Sequence, residues 1–357
     1  MSALHETARR ILADHREAGT PEAERARAVV TAHLESLGYH VTSQRFSFHP
    51  SALLGFPILG AGVGAAALLA LPLLHWPTVP PWGALLVWLT VLAASACLAG
   101  SVAAGWLEFG ETREDASLIA VRSTDPIRRW IVAHLDTKAQ AQSMAGRLVA
   151  VWALGLAVAL GGGLAAARLS GPVPLGLAAA GAGLAVLAGA LAGRGRLRGT
   201  SQGARDNGTG VVAALACAEA CTDTATGILI TGGEEFGLVG ARIFSSLQDG
   251  LVGAEVVNLD TLDQEGRLYV VTHDGRGSET AARVAAQLAV AGLPARSRRL
   301  PVGILVDSLP LARAGASAVT VGRLDWRTLR VIHTPADVPE GLSLETAERV
   351  GRALATN

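Results

Sequence analysis

Two histidines and several carboxylates fall in short segments whose types and spacing suit metal-assisted hydrolysis. His134 and Asp136 stand two apart in His134-Leu-Asp136. Asp206 lies in a glycine-bracketed stretch, Gly203-Ala-Arg-Asp206-Asn-Gly-Thr-Gly210. Glu234 and Glu235 follow Gly232-Gly233, Asp260 ends Asn258-Leu-Asp260, and His333 opens His333-Thr-Pro-Ala-Asp337. Imidazole and carboxylate donors together form a mixed N/O set suited to Zn²⁺ or a neighbouring divalent metal. Such a set holds two ions when one carboxylate bridges, and a centre about 3.5–4 Å across activates a water and polarises a carbonyl. Glu234, beside a ligand but free of metal, is placed to take the proton from that water. Asp136 is expected to orient the His134 imidazole, and Asp337 to do the same near His333.

Each piece alone has an ordinary reading. A histidine beside a strand is more often a satisfied, partly buried residue. Adjacent glutamates usually sit on a solvated face, and a lone aspartate at a strand end is often a helix cap. The elements that carry them change the balance. Apolar runs over 117–122, 129–133, 226–231, 254–259, 268–272 and 318–321 read as strands, and 39–48 alternates as a strand does. Helices are expected over 3–17, 21–37, 209–221, 237–247, 279–291 and 342–355. Thr20-Pro21 has the form of an N-cap with proline at the first helical position, with Glu24 near the capping-box place, and Gly38 ends that helix. Strands alternating with helices argue for an α/β fold, a mixed and mostly parallel sheet flanked by helices. In such sheets, sites gather at the carboxyl ends of strands. His134, Glu234, Asp260 and His333 are all expected there, His333 after a strand-like Val331-Ile332.

The composition adds a second region. The chain has 357 residues, 50% hydrophobic and only 17% charged, against roughly a quarter charged in a soluble domain. Lys+Arg and Asp+Glu balance at 30 each, which removes the electrostatic case for nucleic acid. No charged residue occurs between Arg45 and Glu108, between Arg147 and Arg168, or between Arg168 and Arg194. A membrane-spanning helix needs roughly 20 mostly apolar residues. The windows fit spans near 52–74, 83–105, 148–168 and 174–193, broken at His75-Trp-Pro-Thr-Val-Pro-Pro81 and at Ser170-Gly-Pro-Val-Pro174. The expected organisation is a catalytic domain from 1–50, 106–146 and 195–357, with hairpins at 51–105 and 147–194 forming a four-helix transmembrane region. No secretory signal peptide is read at the start. Arg45, Arg113, Lys138, Arg147, Arg194, Arg196 and Arg198 lie on the side of both termini. The positive-inside rule therefore puts the termini and the catalytic domain in the cytoplasm, and the expected location is the plasma membrane of a bacterium, as an integral protein. Cys97, Cys217 and Cys221 are too few for a disulfide framework and read as packing residues.

His134-x-Asp136, Asp206-Asn207 after Gly-Ala, Glu234-Glu235-x-Gly-Leu, Asn258-Leu-Asp260 and His333-Thr-x-x-Asp337 together resemble the five motifs of metallopeptidase family 28, the group of leucyl aminopeptidases and glutamate carboxypeptidases. The resemblance runs from about Glu6 to the C-terminus, interrupted by the two hairpins, and Leu37-Gly-Tyr-His-Val41 is similar to the family's entry into its first strand. It implies a zinc-exopeptidase-like fold and two divalent ions, Zn²⁺ in the first instance. His134 and Asp260 would hold one ion, Glu235 and His333 the other, with Asp206 bridging and Glu234 as general base and acid. It also implies a cis peptide at Asp206-Asn207. One departure is Val306-Asp307-Ser308, where Ser308 stands in place of a histidine that the family often has. A larger one is the second hairpin, spliced between Asp136 and Asp206.

The expected activity is that of a membrane-anchored exopeptidase, foremost an aminopeptidase, acting on a peptide or amide substrate. A carboxypeptidase or an amide deacylase on the same centre, a glutaminyl-cyclase-like acyl transfer, and a non-catalytic scaffold are the alternatives. Intact His134 speaks against the cyclase, and the full ligand set against the scaffold. A transporter has little support, because the apolar windows carry no Asp, Glu or Lys. Arg147 is 11 residues from Asp136 and Arg194 is 12 from Asp206. At about 3.6 Å per residue the centre would lie within roughly 40 Å of the bilayer surface. A site opening toward the bilayer, for membrane-associated substrates, and simple tethering are both open readings.

Overall fold

The computed structural model describes residues 2–76 and 78–356; Pro77, in the expected break of the first hairpin, lies outside them. The chain divides into two units. One comprises Met1–Phe48, Thr112–Ala139 and Gly199–Asn357, the other His49–Glu111 and Gln140–Arg198.

The first unit is built on an eight-stranded sheet. Its strands are β1 (His40–Phe48), β2 (Arg113–Val121), β3 (Arg129–His134), β4 (Thr226–Thr231), β5 (Glu255–Leu262), β6 (Arg267–Thr272), β7 (Ala295–Arg299) and β8 (Ser317–Leu324). Their order is β1-β2-β4-β3-β5-β8-β6-β7. The central strands β4, β3, β5 and β8 run parallel, so their carboxyl ends share one edge. β1, β2 and β6 pair antiparallel to their neighbours toward the sides, and β7 runs parallel to β6 at the margin. Every residue of β3 and β4 is buried, as strands covered on both faces must be. One face packs Ile131, Ile228 and Val257 against the helices Thr209–Ala220 and Glu345–Leu354. The other packs Trp130, Val132 and Leu229 against Phe244 and Leu311.

Local chemistry explains several boundaries. Thr20 caps the helix Pro21–Ser36 through its hydroxyl, which accepts from the Ala23 amide at 3.2 Å. Glu24 makes no capping box there; its amide bonds the Thr20 carbonyl as an ordinary helical donor. The first helix stops at Ile11 rather than at 17. The following segment instead carries Arg16 into the interior, where its guanidinium takes the Ile11 carbonyl at 3.3 Å. The segment leading to His333 is not a strand. Trp326–Val331 is a short helix, started by a capping box between Asp325 and Thr328, and only Ile332 is extended. β7 also departs from the sequence pattern, because Ala-Arg-Ser-Arg-Arg has no apolar alternation; pairing with β6 at the sheet margin makes it a strand.

The second unit contains four helices long and apolar enough to cross a membrane: Pro50–His75, Gly83–Ala103, Met144–Ala167 and Leu175–Gly193. They have no charged face, and small residues set their packing. Trp88, 1% exposed, lies so close over Gly161 that a β-carbon there would collide with the indole. Leu68, Leu89, Trp152 and Leu187 are exposed.

Candidate metal centre

The shared edge of the parallel strands gathers the sequence-predicted residues. His134 is the last residue of β3, and Glu234 and Glu235 follow β4 by a Gly-Gly turn. Asp260 sits within β5 beside an irregularity between Leu259 and Leu262, where Thr261 adopts φ 55°. A bulge of this kind re-aims a side chain at a strand end. Asp206 precedes the buried helix Thr209–Ala220, and the Asp206–Asn207 peptide is cis. Asn207 pins that turn: its amide nitrogen donates to the Leu259 carbonyl at 2.8 Å, and its oxygen accepts from the Gly210 and Thr261 amides.

The two histidines meet opposite oxygens of one carboxylate. His134 Nε2 lies 3.2 Å from Asp206 Oδ1, and His333 Nε2 lies 3.2 Å from Asp206 Oδ2. Asp260 Oδ1 stands 4.0 Å from His134 Nε2, and Glu235 Oε1 stands 3.5 Å from His333 Nε2. The ligand atoms of His134, Glu234 and Asp260 all lie within 4.8 Å of one another, as do those of Asp206, Glu235 and His333. Glu235 Oε1 is buried without a hydrogen-bond partner. A buried, unpaired carboxylate oxygen aimed at an imidazole and a second carboxylate strongly favours a cation between them. The donor set, N/O throughout and crowded with acids, fits zinc.

Two orienting roles differ from expectation. The His134 Nδ1 partner is the Asp136 main-chain oxygen at 3.0 Å, whereas the Asp136 carboxylate is 3.8 Å away. That carboxylate instead accepts from the Glu234 and Glu235 amides at 3.0 and 3.1 Å, so it fixes the turn bearing both glutamates. Asp337 does not touch the His333 ring. Its two oxygens accept from the Arg205 and Asp206 amides at 2.9 and 3.1 Å, and so hold the central carboxylate. In both cases the amides of a tight turn are the nearer unsatisfied donors.

Burial and crowding shift these acids apart. Burial pushes Asp260 and Asp136 up to about 7, and Asp307 and Asp337 up to about 6. Glu234 is raised well above its ordinary value by burial and by Glu235, Asp307 and Asp260, against the pull of His134. Burial works against a charged His134, but Glu234, Asp206 and Asp260 outweigh it and hold its pKa well above the usual range. Burial would raise Asp206 too, yet hydrogen bonds from both histidines hold it low. A buried cluster of acids is the setting that a dication relieves.

Three further residues belong to the surroundings of the centre. Arg16, 0% exposed, donates to the carbonyls of Leu135, Gln202 and Gly203 at 2.8, 2.6 and 3.0 Å. It thereby ties the His134 turn to the Asp206 turn. Lys138 places its ammonium against Glu235 Oε2. Asp307 is buried, with one oxygen accepting from the Thr231 hydroxyl. Asp307 stands in the sequence next to the Ser308 departure; Arg16 and Lys138 carry no local signal.

A sequence model of the family described as Peptidase family M28 matches residues 190–357. That span includes Asp206, Glu234, Glu235, Asp260 and His333 but not His134. None of the curated proteins matches this chain. Several solved structures do. An aminopeptidase from Aneurinibacillus sp. strain AM-1 is 16% identical with TM-score 0.58, covering 99% of this chain and 92% of its own. A zinc aminopeptidase from Bacillus subtilis is 15% identical with TM-score 0.57, covering 99% and 92%. A glutaminyl cyclase from Porphyromonas gingivalis is 15% identical with TM-score 0.57, covering 99% and 95%. The chain thus has the mixed α/β fold of zinc aminopeptidases and glutaminyl cyclases, and its C-terminal half is similar to peptidase family M28.

Proposed function

We propose that this protein is a membrane-anchored, zinc-dependent exopeptidase, specifically an aminopeptidase working through a dinuclear centre. The observation that carries the reading is Asp206, whose two oxygens each meet a different histidine at 3.2 Å. His134, Asp260 and Asp206 would hold one ion, and Glu235, His333 and Asp206 the other. Bound zinc supplies a water acidic enough to be deprotonated near neutral pH and an electrophile for the scissile carbonyl. Glu234 accepts the proton as the water oxygen bonds to that carbonyl carbon. It then delivers the proton to the leaving nitrogen as the C–N bond breaks. The Asp136 bond to the Glu234 amide holds the turn that carries this carboxyl. Anchoring is supported by the four apolar helices, with the catalytic unit on the cytoplasmic side as the flanking arginines argue.

The test is metal content and turnover of the full chain in detergent, beside Glu234→Gln. Free-amine peptides should be cleaved and their N-acylated counterparts left intact. The variant should keep its zinc and lose about 10²–10⁴-fold in turnover. Full turnover in Glu234→Gln would remove the base assignment, and a metal-free, unresponsive protein would remove the centre. Cleavage of N-acylated substrates would shift the reading to a deacylase or carboxypeptidase. The fold likeness to glutaminyl cyclases supports a second reading, acyl transfer within an N-terminal glutamine. Ammonia release without any free amino acid would select it. Extraction of the protein from membranes by alkaline carbonate would overturn the anchoring.

A further inference from the structure

Lys138 stands two residues beyond Asp136 and four beyond His134. It is 5% exposed, and its ammonium contacts Glu235 Oε2. Burying a lysine costs several kcal/mol unless it is paired, so this contact is a fixed feature of the site. It divides one carboxylate between two tasks. The outer oxygen, Oε2, is held by the ammonium. The inner oxygen, Oε1, has no hydrogen-bond partner and faces the His333 imidazole.

The other side of the centre is different. Asp260 receives only a neutral hydroxyl, Thr261 Oγ1 at 3.0 Å. Beside the His134 ring at 4.0 Å, the groups that crowd it are acids, with Glu234 in the same cluster of ligand atoms. No lysine or arginine pairs with Asp260 or Glu234 among the described residues. An ion bound by His134, Asp260 and Asp206 therefore meets carboxylates that no lysine or arginine shares with it. An ion bound by Glu235, His333 and Asp206 meets a carboxylate already half-neutralised, with a like charge behind it.

We infer that Lys138 makes the two halves of the centre unequal, so that the ion held by His134 and Asp260 is retained while the ion held by Glu235 and His333 exchanges. The inference rests on the metal-centre reading above and adds to it which ion is labile, and why. Lys138 is a positioning residue here: it acts on the ion through Glu235. In the metal-free protein the same ammonium offsets part of the acid cluster, so its removal should weaken the apo fold and strengthen metal binding together. A purely structural lysine would weaken both.

The experiment strips the full chain with chelator, restores Co²⁺ or Zn²⁺ stepwise, and reads stoichiometry, the Co²⁺ absorption spectrum and the melting temperature. The wild type should keep one ion per chain through gel filtration and bind the second about tenfold or more weakly. Lys138→Met should narrow that gap, with a lower apo melting temperature and a larger upward shift on adding Zn²⁺. Lys138→Arg should restore the gap. His333→Ala should lose the weak ion and His134→Ala the tight one, which tests the assignment even if Lys138→Met does not fold. Two ions of equal affinity in the wild type, an unchanged gap in Lys138→Met, or the opposite histidine pattern would overturn the inference. Absence of any bound metal in every protein would instead overturn the metal centre itself.

Discussion

Replacing Arg16 by Met deletes a buried guanidinium that binds four main-chain oxygens. They are Leu135 at 2.8 Å, Gln202 at 2.6 Å, Gly203 at 3.0 Å and Ile11 at 3.3 Å. Burial lowers the Arg16 pKa only to about 10, so the group is still a cation at neutral pH and the bonds are charge-assisted. Each such bond is worth about 1.5–3 kcal/mol. Met needs no desolvation of a charge, which recovers part of the loss. The net destabilisation is therefore about 3–5 kcal/mol, a large share of the roughly 5–15 kcal/mol that holds a domain folded. In a unit of this size that is a melting temperature about 10 °C lower. A second consequence is specific to the site. Leu135 lies between His134 and Asp136, and Gly203 opens the turn that presents Asp206, so the variant should also bind zinc about 10–100-fold more weakly. The assay is thermal unfolding of the full chain in detergent, with and without metal, beside a zinc titration. The conservative change Arg16→Lys should recover little of either loss, because one point charge does not span these carbonyls. A Met variant that melts within about 2 °C of the wild type and keeps its zinc affinity would refute this account of Arg16.

Two other predictions concern the helix behind the centre. A β-carbon at Gly210 would collide with Asn207 Oδ1 and the Leu259 carbonyl, the groups that shape the Asp206–Asn207 turn. Gly210→Ala should therefore cost about 2 kcal/mol or more and lower bound zinc, whereas Gly183→Ala, which meets nothing within 4 Å, should do neither. Burial pushes the Cys217 thiol up to about 12. Because the thiolate is the reactive form, Cys217 should resist a thiol reagent at pH 8 in the folded protein and react fully on unfolding. Rapid labelling of the native protein at Cys217, located by peptide mapping, would contradict its buried place in Thr209–Ala220.

Much of the architecture is legible because its signals are local. Four apolar windows without charge stand out by length and composition alone, and the helices appear where those windows lie. The strand 226–231 is legible to the residue, since a six-residue apolar run bounded by turn residues has few other uses. Pro21 and Thr20 announce a helix start by the groups they lack and supply. The ligand segments are legible for a related reason: His134, Glu234 and Asp260 each end an apolar run, and parallel strands bring such ends to one edge.

What local pattern does not decide is which group each side chain finds. β7 is a strand only because β6 offers it an edge. Asp136 and Asp337 look like partners of the nearest histidine in the chain, but folding places turn amides closer than the rings. Arg16 and Lys138 are long cations in polar segments, the kind of residue that normally stays in water. Arg16 is buried because Leu135 and Gly203, 119 and 187 residues away, bring unsatisfied carbonyls around it. Lys138 is buried because Glu235, 97 residues on, brings an acid to it. The identities of the donors, the apolar spans and the run of strands and helices are written in the sequence, since they depend on side-chain chemistry and short-range periodicity. The bridging place of Asp206 is implied by the motif resemblance, but the 3.2 Å approach of each of its oxygens to a different histidine, the division of Glu235 between an ammonium and a free oxygen, and the ties through Arg16 come only from the tertiary structure, because hydrogen bonding and charge act between groups that the chain alone keeps far apart.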